Sequence, residues 1–181
     1  AQEALLGIGG VELLGLMGHT AIRSYHMNEG HSALLTLALA ERQVSSQSGV
    51  KRAALLSDAD REAVRRQCVF TTHTPVPAGH DKFPWPMVKQ VLGADRADML
   101  SKCGCCAENA LNMTFLALRF SRYINGVAMS HGEVSQGMYP SYPIQSITNG
   151  VHAPTWTSQP FQKLFDQYIP KWRTEIGRAH V

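Results

Sequence analysis

The stretch Ser24 to Leu35, SYHMNEGHSALL, sets an extended polar segment directly against the apolar run ALLTLALA. The piece IRSYHMN reads as extended chain. From Ala33 onward the residues are apolar nearly all round, which predicts a buried helix. Asn28, Glu29, Gly30 and His31 stand where the strand hands over to that helix. A strand running straight into a buried helix, repeated along the chain, predicts an α/β fold with a mostly parallel sheet and flanking helices.

The same kind of ending recurs. CVFT (68–71) is strand-like and stops at Thr71-Thr72-His73-Thr74, ahead of a Pro-rich ordered loop, PVPAGHDKFPWP. GVAMS reads as a short buried strand ending at His131-Gly132-Glu133, and IQSIT as another ending at Asn149-Gly150. In an open parallel sheet the carboxyl ends of the strands share one edge, and ligands bind in the crevice there. Residues scattered along the chain are therefore expected to converge, with Asn28-Glu29-Gly30-His31 as one wall.

Such an edge offers neutral hydrogen-bonding groups, the two carboxylates Glu29 and Glu133, and glycines that admit a ligand close to backbone. That chemistry suits sugar hydroxyls better than phosphates, which call for Arg, Lys or a glycine-rich helix start. Each ending also has a plain structural reading. A lone His is commonly a satisfied structural residue, Asn-Gly a turn, and Glu133 a first-turn carboxylate.

The opening QEALLGIGGVELLGLMG has helical apolar spacing but four interior glycines, Gly7, Gly9, Gly10 and Gly15. Each costs about 1 kcal/mol in a helix, so tight packing or a loop must account for them. A dinucleotide fingerprint fails, because its third glycine would fall at Glu12 and no strand precedes it. Further on, SSQSG (45–49) reads as a loop, and Ser57 as the cap of an exposed helix through REAVRRQ. LNMTFLALRFSRY (111–123) reads as one helix broken by Asn125-Gly126, and PFQKLFDQYIPKW as an amphipathic piece stopped by Pro170.

Composition narrows the classes. The chain has 181 residues, 44% hydrophobic and 17% charged, enough for one domain or part of a larger one. Lys+Arg 17 against Asp+Glu 14 gives +3, and no basic run interleaves with aromatics, so no nucleic-acid partner is expected. The apolar runs are broken well short of a membrane span. Four cysteines, three of them in CGCC (103–106), do not form a disulfide framework, which predicts a reducing, cytoplasmic location. No metal site is expected, since zinc-finger spacing and HExxH are both missing. Neither a GxSxG elbow nor an activated cysteine supports a nucleophile. The chain opens at Ala1 in mid-pattern, as a fragment would. Its last residues, EIGRAHV, match one reading frame of a common sequencing adapter and are expected to be non-native.

Four stretches, YHMNEGHSALL, VFTTHTPVPAGHDKFP, LNMTFLALRFSRYINGVAMSHGE and SITNGVHAPTW, resemble the glycogen/α-glucan phosphorylase family in the right order, particularly its shorter bacterial and archaeal branch. The resemblance runs from Gln2 to about Trp172 and is weakest over Ala94 to Glu108. It implies a two-lobed, GT-B-like glycosyltransferase in which residues 1–172 form the later part of the N-terminal lobe and 173–181 a tail. The implied reaction is cleavage of a terminal α-1,4-linked glucose of an α-glucan by inorganic phosphate, giving glucose 1-phosphate with retention. By motif, the His73 side chain and Asn149 would bond the 6-hydroxyl of the reacting glucose, and the His73 carbonyl would face the oxocarbenium-like carbon. Glu29 and His31 would line the pocket beside the sugar, next to Asn28. Gly79 and Asp81 fall in the loop that gates access, and His131 lies in the crevice. Pyridoxal phosphate would be held by a lysine of the C-terminal lobe, outside this chain, and the complete enzyme could be a homo-oligomer. The alternatives are a non-enzymatic carbohydrate-binding module and a nucleotide-sugar transferase of the same architecture.

Overall fold

The computed structural model describes residues 1–48, 56–107 and 109–175. They fall into two compact units, Ala1–Ile147 and Thr148–Val181. The strands of the first unit are β1 (Tyr25–Asn28), β2 (Cys68–Thr71), β3 (Lys82–Pro84), β4 (Cys106–Ala107), β5 (Ala110–Asn112), β6 (Tyr123–Gly126) and β7 (Gln145–Ser146). One sheet is parallel throughout, in the order β1-β2-β6-β7, and a small antiparallel sheet runs β3-β5-β4. The α/β architecture with a mostly parallel sheet matches the expectation.

The register shows why β2 is central. Met27 pairs with Phe70, and Phe70 with Ile124, and all three are buried. A parallel sheet covered on both faces wants such continuous apolar strands. The helix Leu35–Ser48 follows β1, and its buried face, with the Ala33-Leu34 turn before it, runs unbroken through Ala40. The helix Asp58–Arg65 precedes β2 and starts from a full capping box between Ser57 and Asp60.

The glycine-rich opening is helical. Gln2–Ala4 and Gly10–Leu16 are α-helical, and Leu5–Gly9 between them is a π-helical turn. Gly7 is the buried member, and a Cβ there would stand 2.6 Å from the Leu35 amide nitrogen and 2.8 Å from the Leu34 carbonyl carbon. Close packing on the turn into the Leu35–Ser48 helix thus accounts for this glycine. Gly10 has nothing within 4 Å of that position and earns no such explanation.

Several boundaries differ from the sequence reading. The predicted helix 111–123 is shorter, Met113–Arg119, because Asn112 ends β5 and its side-chain oxygen accepts from the Phe115 amide at 3.0 Å. The chain leaves helical geometry at Phe120 and enters β6, so Asn125-Gly126 lies inside a strand and is not a breaker. Asn125 tolerates burial there because Thr71 Oγ1 donates to its Oδ1 at 3.0 Å and its Nδ2 donates to the Gly126 carbonyl at 3.1 Å. GVAMS is therefore not a strand, and His131-Gly132-Glu133 ride on the helix Met129–Met138. Ser45 to Ser48, expected as loop, continue the preceding helix, and Gly49 lies outside the described residues.

Cys103 and Cys105 form a disulfide across Gly104, whose φ of +75° lets the chain double back. This corrects the expectation of unpaired cysteines. Cys68 is free and buried in β2, and burial pushes its thiol up to about 12. Helix Ala94–Ser101 opens the stretch where the resemblance is weakest, and is held to the Leu35–Ser48 helix by a two-pronged Arg96–Glu41 pair at 2.7 and 2.9 Å. No helix among the described residues is long and apolar enough to cross a membrane.

The second unit carries short helices, Ala153–Trp156, Gln159–Tyr168 and Trp172–Glu175. Trp172 is its buried centre: the indole N–H donates to Asp166 at 2.8 Å and the ring meets Phe165 edge-on. The Arg173 guanidinium lies over that ring and, by its bonds to Asp166, holds the carboxyl below its usual range. Of the expected tail, residues up to 175 are helical and 176–181 lie outside the described residues.

Candidate functional site

Four parallel strands put their carboxyl ends on one edge. A polar chain runs along it from β1 to β6: the His26 Nε2–H donates to Thr71 Oγ1 at 2.8 Å, and that hydroxyl donates to Asn125 Oδ1. Since the threonine proton is spent on Asn125, the imidazole must be the donor of the pair.

Just past β1, Glu29 has φ 68° and ψ 171°, a conformation that disfavours any residue with a Cβ. Its amide bonds the Thr71 carbonyl at 2.9 Å, extending the β1–β2 ladder by one rung. Its carboxylate then reaches across to the loop after β2. Oε2 accepts from the His73 amide at 2.7 Å and from Thr74 Oγ1 at 3.0 Å. Oε1 is buried and has no partner among the described residues. The strained backbone is held by the very bonds that fix His73, so β1 and β2 end in one clasp.

His73 itself is exposed, with its backbone tied and its imidazole free to face a ligand. The loop beyond it is anchored further on. The Tyr139 hydroxyl donates to His80 Nδ1 at 2.5 Å, and the His80 Nε2–H donates to the Thr74 carbonyl at 3.1 Å. Gly79 lies so close to Thr74 that a Cβ would meet its methyl, so this glycine permits the tight return of the loop. Asp81 then bonds His31 Nδ1 at 2.8 Å, joining the far end of the loop to the turn after β1.

The structure thus brings Asn28, Glu29, His31, His73, Gly79 and Asp81 into one connected group. His131 rides on the helix after β6 with its ring against Gly126, the last residue of that strand: its Nδ1 is 3.4 Å from Ser135 Oγ, and its Nε2 is buried without a partner among the described residues. Asn149 is exposed in the second unit. Sequence reasoning missed Tyr139, Thr74 and His80 as supports. Tyr139 and His80 lie 59 residues apart, and nothing in either local pattern announces the pairing.

One group of potential metal ligands stands beside the clasp. Single donor atoms of Glu3, His31 and Asp81 lie within 4.8 Å of one another, and no ion is expected from the sequence. Burial, and secondarily the Glu29 charge, push the Tyr139 hydroxyl up to about 12. The folded chain therefore holds this proton more tightly than the unfolded one. That stabilisation is complete below the ordinary tyrosine value near 10 and is lost as pH rises toward 12. Urea midpoints should fall as pH rises from about 10 toward 12, and Tyr139→Phe should flatten that fall while lowering the midpoint at neutral pH.

A parallel sheet with flanking helices and a hydrogen-bonded loop clasped at its carboxyl edge makes this an α/β protein with a candidate crevice at that edge. Known proteins resemble the chain along most of its length. The chain is 36% identical to glycogen phosphorylase of Mycobacterium tuberculosis over 90% of its own length, and 37% identical to maltodextrin phosphorylase of Thermococcus litoralis over 95%. Glycogen phosphorylase of Aquifex aeolicus is 32% identical over 93%. The chain is a relative of the glycogen and maltodextrin phosphorylases, and it spans about a fifth to a quarter of their length. No family model matches it.

Proposed function

We propose that this chain is part of the N-terminal, GT-B-like lobe of an α-glucan phosphorylase. The complete enzyme would be a cytoplasmic glycosyltransferase that splits a terminal α-1,4-linked glucose from an α-glucan with inorganic phosphate, releasing glucose 1-phosphate with retention. What supports this most is the Glu29–His73 clasp, in a chain whose relatives carry phosphorylase names. The clasp holds the His73 backbone at the sheet edge through its amide, and a backbone dipole aimed in advance would stabilise charge developing on a reacting sugar carbon. The side chain of His73 would bond the 6-hydroxyl of the sugar, as would Asn149. Glu29 and His31 would line the pocket, with Asn28 and His131 nearby, and the loop carrying Gly79 and Asp81 would gate it. This arrangement needs no nucleophile–acid pair of carboxylates, in contrast to most glycoside hydrolysis.

The family's cofactor, pyridoxal phosphate, supplies a phosphate that assists proton transfer when bound. The described lysines of this chain, Lys82, Lys89, Lys102, Lys163 and Lys171, are all exposed. An imine-forming lysine needs burial or a neighbouring cation to lower its pKa. The residues present do not fit the cofactor, and its lysine is assigned to the C-terminal lobe.

Incubation of the complete enzyme carrying this segment with maltodextrin and phosphate should release glucose 1-phosphate, whereas the 181-residue chain alone should release none. Glucan binding without phosphorolysis by the complete protein would instead identify a carbohydrate-binding module.

A further inference from the structure

At the opposite edge of the main sheet, where β2 and β6 begin, lies a cavity of about 270 Å³. Arg61, Arg65, Arg119 and Arg122 are among the residues that line it, with Asp58 and Glu62; the Arg61 and Arg65 guanidinium groups also donate to the Leu56 and Ser121 carbonyls, at 3.0 and 3.2 Å. Arg61 is 3.5 Å from Asp58, and Arg65 is 2.8 Å from Glu62. Glu62 is also shared with Arg66, outside the cavity, at 3.2 Å. Arg119 and Arg122 reach no carboxylate among the described residues, and Arg122 finds only Ser24 Oγ, at 3.5 Å.

Arginines in the last turn of a helix ordinarily offset its carbonyls. Arg65 and Arg119 hold such positions, but Arg122 stands on the turn into β6. Ser121 is the stronger sign. It lines the cavity and is only 2% exposed, yet its hydroxyl has no partner among the described residues. A buried, unpaired donor is costly, and here it stands among cations that supply no acceptor. The Arg61 Nε–H is in the same condition.

We propose that this cavity is an anion site for a phosphate group, either inorganic phosphate or a phosphate monoester on a small organic body. Guanidinium forks match tetrahedral oxyanions bidentately, and a doubly charged one can engage Arg119 and Arg122 together while accepting from Ser121. A singly charged carboxylate would add little to the pairs already made with Asp58 and Glu62. Tyr142 and Pro143 also line the cavity, whose volume exceeds that of a phosphate and admits a small organic body. The site is distinct from the clasp at the carboxyl edge and needs no step of the proposed reaction.

Isothermal titration of the 181-residue chain at low salt, with inorganic phosphate and separately with glycerol phosphate, tests it. Saturable binding is expected, weakened about tenfold by Arg119→Gln or Arg122→Gln and unchanged by His73→Ala. Tighter binding of glycerol phosphate would identify the monoester as the better ligand, and equal binding the phosphate alone. Ser121→Ala removes an unpartnered hydroxyl, so it should leave the melting temperature without phosphate unchanged or raised while weakening phosphate binding. That variant carries the test should the arginine variants not fold. Absence of saturation, or affinity indifferent to Arg122 and Ser121, overturns the proposal. Sensitivity to His73→Ala alone would put the anion in the crevice.

Discussion

Substituting His73→Ala in the complete enzyme that carries this segment should lower kcat for phosphorolysis by about 10²–10³-fold, on the order of 2.7–4 kcal/mol of transition-state stabilisation. The size follows from what is removed. The imidazole is an exposed side chain of a loop whose backbone is tied by Glu29 at the His73 amide and by His80 at the Thr74 carbonyl. Truncation leaves those ties in place, so the loss should fall on the reaction and not on folding. A drop in kcat with an unchanged melting temperature is the expected pattern. Phosphorolysis at the original rate would remove His73 from the machinery and with it the main support for the proposed reaction.

Gly7→Ala should destabilise the chain by about 1–3 kcal/mol, read from urea unfolding. The added methyl would meet the main chain of Leu34 and Leu35, which no rotamer change can clear. Gly10→Ala lies in the same helical segment with open space around it and should stabilise by about 0.5–1 kcal/mol. Opposite signs at glycines three positions apart would separate packing from propensity. Equal effects would show that the opening helix does not dock as described.

The sheet was legible where the sequence carries period and punctuation together. CVFT is a strand over the residues expected, bounded by Gln67 before and the His73 loop after, and Ser57 caps its helix as read. The clasp was half legible. The polar endings of β1 and β2 pointed to a shared edge, but the backbone of Glu29 at positive φ is a tertiary outcome with no local signature. The third ending misled for a definable reason. Asn125-Gly126 resembles a turn, yet cross-strand bonds from Thr71 satisfy the asparagine inside β6. The polar triplet His131-Gly132-Glu133 consequently slid from a strand end onto a helix. Cys103 and Cys105 were misjudged because nothing in CGCC says which two sulfurs the chain brings together.

The parallel pairing of β2 with β6 has a consequence for synthesis. Val69 of β2 takes Tyr123 of β6 as its partner, so a ribosome must add roughly fifty more residues before that edge can be covered. At about 5–20 residues per second this is an interval of some seconds. Throughout it the Cys68–Thr71 strand, apolar and hydrogen-bonded on one side only, is exposed to any other nascent chain. Production of this protein should accordingly respond to temperature and to chaperone supply during translation more than to the stability of the finished fold.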